Sequence, residues 1–143
     1  MSVRAMTRAI PLALGLAVPC APPLRADDTA AQAMEAYLEF ADYGGGVIFS
    51  EQIEPADLAR FFIIDARQAS QFEAGTLPGA VNIEWRQALA RRHEIPRDRP
   101  VLIHCHTGML SAQAAFALRV AGWDNVRVLQ GGYLEWLRAT AAR

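Results

Sequence analysis

The feature that most constrains this 143-residue chain is a set of short, mostly apolar runs at 61–65 (FFIID), 101–104 (VLIH) and 126–129 (VRVL), separated by stretches of helical spacing. A strand apolar on both faces has to be covered on both, which an antiparallel sheet with one wet face does not require. Strand-length runs alternating with helical segments therefore imply βαβ units, right-handed crossovers and a parallel sheet buried between helices. The fold class expected is α/β, with two weaker strands at 47–49 and 80–83 joining the three clear ones.

The remaining segments fill in around that sheet. Residues 28–40 predict an amphipathic helix, with Met34, Tyr37, Leu38 and Ala41 along one side. The triple glycine 44–46 ends it. Pro55 opens a helical turn to Arg60, 70–74 predict a short helix closed by Gly75, and Leu77-Pro78-Gly79 is a turn. A helical stretch is expected from Trp85 to about Arg92, a loop over 94–99, a strong helix over 111–121 and a last helix over 133–139.

The first 26 residues read differently. Arg4 and Arg8 precede a nine-residue apolar run, Ile10 to Val18, and a small-residue stretch ends at Ala26 before Asp27 and Asp28. This is the layout of a secretory signal peptide, and the run is too short for a spanning helix of about 20 residues. Cleavage after Ala26 is expected, which places the protein in the periplasm or outside the cell; lipid attachment at Cys20 is disfavoured by Pro19. Domain bounds follow as 1–26 for the leader, 27–46 for an N-terminal helix and glycine-rich linker, and 47–143 for the α/β domain. Loss of the leader removes Arg4, Arg8 and Arg25 and no acid, leaving 11 basic against 15 acidic residues. Nothing in that balance draws nucleic acid or an anionic membrane.

The mature part keeps one cysteine, Cys105, so no internal disulfide can hold it. It follows the apolar run 101–104 and precedes His106, Thr107, Gly108, Met109, Leu110 and Ser111, where a helix begins. In an open parallel sheet, ligands bind at the carboxyl ends of strands. A cysteine there faces amides that the helix cannot satisfy internally, and their partial positive charge favours a thiolate or a bound anion. Gly108 lets the loop curl so that those amides converge on the sulfur. Two readings stay open at this level, a reactive thiol or a small buried hydrophobe closing a strand.

Four ordered motifs resemble the rhodanese (thiosulfate sulfurtransferase) homology domain. Ile64-Asp65-Ala66-Arg67 resembles its D-x-R, and 73–83 (EAGTLPGAVNI) its E-x-G-H-I-P-G-A-x-N-I block. Residues 105–112 (CHTGMLSA) resemble its C-x-x-G-x-x-[ST]-A loop, and 129–136 (LQGGYLEW) its L-x-G-G-x-x-x-W. Together they cover about 47–137. The resemblance implies a single domain with a five-stranded parallel sheet flanked by helices on both faces. It also implies that Cys105 takes sulfur from a donor such as thiosulfate as a persulfide and passes it to a thiophilic acceptor, cyanide or a thiol. The six-residue span from Cys105 to Leu110 matches the family's sulfurtransferases, whereas its phosphatase relatives carry one residue more. The partners implied are small sulfur species, with a protein sulfur acceptor compatible; no cofactor, metal or membrane span is expected.

Two departures matter. Leu110 stands where many members carry Arg, and His106 where another basic residue is common; Leu110 cannot hold a dianion by a bidentate charge pair. Thr76 replaces the family's usual His, at a turn position read as structural. Asp65 and Arg67 are expected to support the site's wall, Asp65 by accepting from loop amides and Arg67 by pairing with a carboxylate such as Glu73. His104 is read as a strand-end residue paired to backbone, and Trp85, Trp123 and Trp136 as core. A cysteine phosphatase is disfavoured because Ser111 stands where that signature needs Arg. The alternative to an enzyme is a non-catalytic module of the same fold that binds a protein partner or a sulfur species.

Overall fold

The structure, a computed structural model, describes residues 26–44 and 46–142. The expected leader therefore lies outside the described residues, apart from Ala26, the first residue of α1 (Ala26–Phe40). Beyond α1 the order is β1 (Val47–Ile48), β2 (Phe62–Asp65), α2 (Ala69–Glu73), β3 (Val81–Asn82), β4 (Val101–His104), α3 (Met109–Val120), β5 (Val126–Leu129) and α4 (Gly132–Ala141). The five strands form one sheet in the order β1-β5-β4-β2-β3, and every pairing is parallel. Register places Asp65 beside His104 and Asn82 beside Asp65, so the carboxyl ends of β2, β3 and β4 finish level with one another.

Side chains alternate between the two faces of the central strands, and both faces are buried, as a doubly covered sheet requires. Ile64, Val101, Ile103, Val126 and Val128 face one side, where Ala114, Ala115 and Leu118 of α3 and Trp123 pack on them. Ile63, Leu102 and Leu129 face the other, against Trp136 of α4, Leu58 and Leu77. No helix among the described residues is long and apolar enough to cross a membrane.

Three local expectations are corrected. The stretch expected as a helix from Trp85 to about Arg92 holds two 3-10 turns, Trp85–Gln87 and Arg92–Glu94, each closed by an i→i−3 bond, Ala88 to Trp85 and Ile95 to Arg92. The Glu84 carboxylate accepts from the Arg86 amide at 3.1 Å, while the Trp85 amide donates to the Ala66 carbonyl at 3.0 Å. Trp85 itself is only half-buried, unlike Trp123 and Trp136. Along α1, the Tyr37 ring meets Phe116 of α3 edge-on at 5.4 Å, but Met34 and Leu38 stay exposed. Both sheet faces are already covered, so α1 adds a single line of contact to α3.

Candidate functional site

β4 runs directly into Cys105, and residues 106–108 turn into α3 with Gly108 as its N-cap at φ +96°. Two helix starts then shape this loop. The Tyr133 amide of α4 donates to the Cys105 carbonyl at 2.8 Å, and the Leu134 amide donates to the His106 carbonyl at 3.1 Å. These are first-turn N–H groups with no acceptor inside their own helix. A planar trans peptide points its C=O and N–H in opposite directions, so anchoring the His106 carbonyl on α4 turns the Thr107 amide back toward the sulfur. The Gly108 amide completes the turn, donating to Cys105 Sγ at 3.2 Å. The Ser111 hydroxyl has one proton and two acceptors in reach, Sγ at 3.6 Å and the Gly108 carbonyl at 3.0 Å.

Close approach of α4 to the loop depends on Gly132. Its φ is +61°, and a Cβ there would stand 2.5 Å from the Cys105 carbonyl oxygen and 2.8 Å from the Gly108 nitrogen. Gly132 was not among the site residues picked from sequence; only the family's paired glycines, read there as a closing motif, hinted at it.

The electrostatic result is a thiol biased toward its anion. Burial pushes the Cys105 thiol up, but the Ser111 amide, its hydroxyl and the amides of Thr107 and Gly108 together hold it below its ordinary value. Of the amides offered by 106–111, these three act on the sulfur. His106, Thr107, Met109 and Leu110 are exposed, and Gly108 and Ser111 are buried. Such a cradle stabilises a negative charge on sulfur, or on an atom bonded to it, without a cationic side chain.

A second polar cluster lies beneath the first. Asp65 and Arg67 are both buried, and the guanidinium binds the carboxylate through Nη2 at 2.6 Å and Nε at 2.9 Å. This corrects the expected pairing with Glu73, which is exposed: the chain folds back after β2, so the carboxylate two residues upstream is nearer than one on α2. Arg67 Nη2 also donates to the Gly75 carbonyl at 2.6 Å, and its guanidinium stacks 4.4 Å from the centre of the Tyr133 ring. Asp65 accepts from the Arg67 amide at 3.0 Å, as expected of a loop-capping carboxylate, and from Thr76 Oγ1 at 2.7 Å. Burial pushes the Asp65 carboxyl up, yet Arg67, His104 and Thr76 hold it below its usual range.

His104 is fully buried, with Nδ1 3.4 Å from the Cys105 carbonyl oxygen and Nε2 3.5 Å from Thr76 Oγ1. Burial lowers its pKa to about 4 against the opposing pull of Asp65, so the imidazole is neutral at neutral pH. It is a strand-end residue paired in part to backbone, as read from sequence. Thr76 joins the same cluster, a structural role.

Beside the Cys105 loop lies an open groove of about 390 Å³, running from Ala66 and Arg67 to Trp85 and bounded by Leu110. Among the described residues no group of three or more His, Cys, Asp or Glu could hold a metal ion.

Comparison with known proteins converges on one family. The family model described as "Rhodanese-like domain" matches residues 49–139. An uncharacterized Bacillus subtilis protein, YqhL, is 38% identical over 74 residues, covering 52% of this chain and 59% of that protein. A protein from Allochromatium vinosum named sulfurtransferase is 34% identical over 83 residues, covering 58% of this chain and 78% of that protein. Among solved structures, a rhodanese-related protein from Thermoplasma volcanium superposes with a TM-score of 0.61 at 20% identity, covering 66% of this chain and 92% of that one. A human single-domain sulfurtransferase superposes with a TM-score of 0.58 at 24% identity, over 66% of this chain and 97% of that one. These two likenesses concern the fold.

Proposed function

The chain belongs to the rhodanese-like domain family, and on that premise we propose that it is a sulfurtransferase in which Cys105 carries sulfane sulfur as a persulfide. In the loading step the Cys105 thiolate attacks the outer sulfur of thiosulfate or a similar donor. The donor's S–S bond breaks, and sulfite leaves with the bonding pair. In the unloading step a thiophilic acceptor, cyanide or a thiolate, attacks the outer sulfur of the persulfide, and Cys105 departs as thiolate. Both states place an anion on sulfur at the same spot, which a rigid set of amides can stabilise without reorganising. The observation that carries this reading is the cradle itself, with the Gly108 amide 3.2 Å from Sγ and the thiol held below its ordinary pKa. Asp65 and Arg67 serve as support beneath it. Export of the protein, expected from residues 1–26, is part of the same proposal, and an intact Met1 on protein recovered from the periplasmic or extracellular fraction would contradict it.

The test is sulfur transfer to cyanide by wild type and by Cys105→Ser at matched folded concentration. Serine keeps the volume but cannot hold sulfur between the two half-reactions, so activity should fall to background with inorganic and organic donors alike. If wild type is as slow as the variant across several donors, the transfer reading is wrong and the domain is a binding module.

A further inference from the structure

The arginines of this chain divide by what they hold. Among the described residues, Arg60, Arg67, Arg86, Arg91 and Arg138 each reach a carboxylate within ion-pair distance. Arg97, Arg99 and Arg127 reach none, and all three line one open pocket of about 350 Å³ with Asp98, Pro100 and Asn125. Their partners are backbone carbonyls instead. Arg97 Nη1 donates to Gly122 at 3.1 Å, Arg99 Nη2 to Phe61 at 2.8 Å, and Arg127 Nη1 to Asp124 at 2.7 Å and Val126 at 3.2 Å. Arg97 also stacks 3.8 Å from the centre of the Trp123 ring. The Asn125 side-chain amide ties the segment before β4 to the start of β5, donating to the Pro96 and Arg99 carbonyls at 2.8 and 2.7 Å. A carbonyl orients a guanidinium without cancelling its charge, and leaves most of its five N–H groups to spare. Asp98 lines the same pocket but pairs with none of the three. Arg97 and Arg99 precede β4 and Arg127 lies near the start of β5, whereas Cys105 follows the last residue of β4. Because the strands run parallel, the arginine pocket sits at the opposite end of the sheet from the sulfur cradle.

We propose that this end of the sheet is a docking surface for an acidic peptide segment of a partner protein, its carboxylates taken by Arg97, Arg99 and Arg127. Three features choose that occupant. The guanidinium fork matches a carboxylate bidentately. Arg97 and Arg99 are exposed, so each contact alone is weak, and a ligand gains only by touching several at once. That favours a chain carrying several charges over a single inorganic anion. A long polyanion such as nucleic acid, by contrast, runs past the pocket onto a surface where the rest of the expected mature chain has 8 basic residues against 15 acidic. The docking is separate from the persulfide reading: the partner is held while Cys105 stays open to small sulfur species.

The probe is fluorescein-labelled hexaglutamate, followed by fluorescence anisotropy. Wild type should bind it saturably at about 50 mM salt, and about 200 mM salt should weaken binding about tenfold. The triple variant Arg97→Gln, Arg99→Gln, Arg127→Gln should weaken it at least about tenfold. Arg91→Gln, Arg92→Gln, Arg138→Gln, which removes the same charge elsewhere, should stay within about twofold. Should the first variant fail to fold, amide shift mapping on wild type decides: hexaglutamate should move the amides of Arg97, Arg99, Gly122 and Asn125 and leave those of Thr107 and Gly108 in place. No binding at low salt, equal weakening in both variants, or shifts centred elsewhere would overturn the proposal. So would an oligothymidylate of equal charge binding as tightly, or inorganic phosphate displacing the peptide at matched ionic strength, since either would make the occupant something other than an acidic peptide.

Discussion

Cys105 and Asp65 each place an anion-forming group at the buried carboxyl end of neighbouring strands, and they are held by opposite means. Around Cys105 the donors are backbone amides of Thr107, Gly108 and Ser111 with one hydroxyl, while most loop side chains point to solvent. Around Asp65 the donors are mainly side chains, Arg67 and Thr76, with neutral His104 alongside. The upper cluster is therefore insensitive to most side-chain replacements and sensitive to anything that moves the chain. The lower one depends on each partner being present. An amide cradle also keeps its shape when the charge moves from sulfur to sulfur, which suits a covalent carrier; a side-chain ion pair suits a fixed support.

The largest effect should come from breaking the lower cluster. Arg67→Ala leaves the Asp65 carboxylate buried without its counter-charge, and urea unfolding should show a loss of about 3–5 kcal/mol. A loss below about 1 kcal/mol would mean that water or another group reaches Asp65. His104 gives the next effect, through pH. Its imidazole is neutral in the folded protein down to about 4, whereas the unfolded chain takes up a proton near 6.5. Between these values the unfolded state binds more protons, so stability should fall as pH drops through that window, by up to ~3 kcal/mol. The slope should be absent in His104→Gln; an unchanged slope would place the titration elsewhere.

Gly132→Ala tests the upper cluster without removing a donor. A methyl there meets the Cys105 carbonyl oxygen, so α4 must retreat, the loop carbonyls lose their anchors and the amides lose their aim. Sulfur transfer should fall about a hundredfold, and the iodoacetamide titration midpoint of Cys105 should rise toward the free-thiol value of about 8.5. Gly79→Ala is the control, because Gly79 also has positive φ, +78°, but open space around a Cβ. Transfer that falls equally in both variants would point to backbone strain rather than to the α4 contact. Smallest of the set is Leu110→Arg, which adds the charge that the loop lacks. The KM for thiosulfate should drop about tenfold and become more sensitive to salt; no change in either would mean that position 110 does not face the donor.

The same contrast explains what could be read from sequence. The strands, the strand–Cys105–helix arrangement and the role of Gly108 are local, and each is set by neighbours within a few residues. The hold of α4 on the Cys105 and His106 carbonyls joins segments almost thirty residues apart through backbone atoms, which leave no side-chain pattern beyond the glycine pair. The sequence places Glu73 among the carboxylates Arg67 can pair with, whereas the turn after β2 brings the guanidinium back onto Asp65. The expected helix after Trp85 closes instead with i→i−3 bonds, Ala88 to the Trp85 carbonyl and Ile95 to the Arg92 carbonyl.

The central claim, that Cys105 holds transferable sulfur in a backbone cradle, is tested most directly by mass spectrometry of the protein after exposure to thiosulfate and to an organic thiosulfonate. The account predicts a one-sulfur adduct on the peptide containing Cys105, absent in Cys105→Ser and removed by a thiol or cyanide. An unmodified Cys105 peptide after both donors, together with an alkylation midpoint at or above about 8.5, would contradict it.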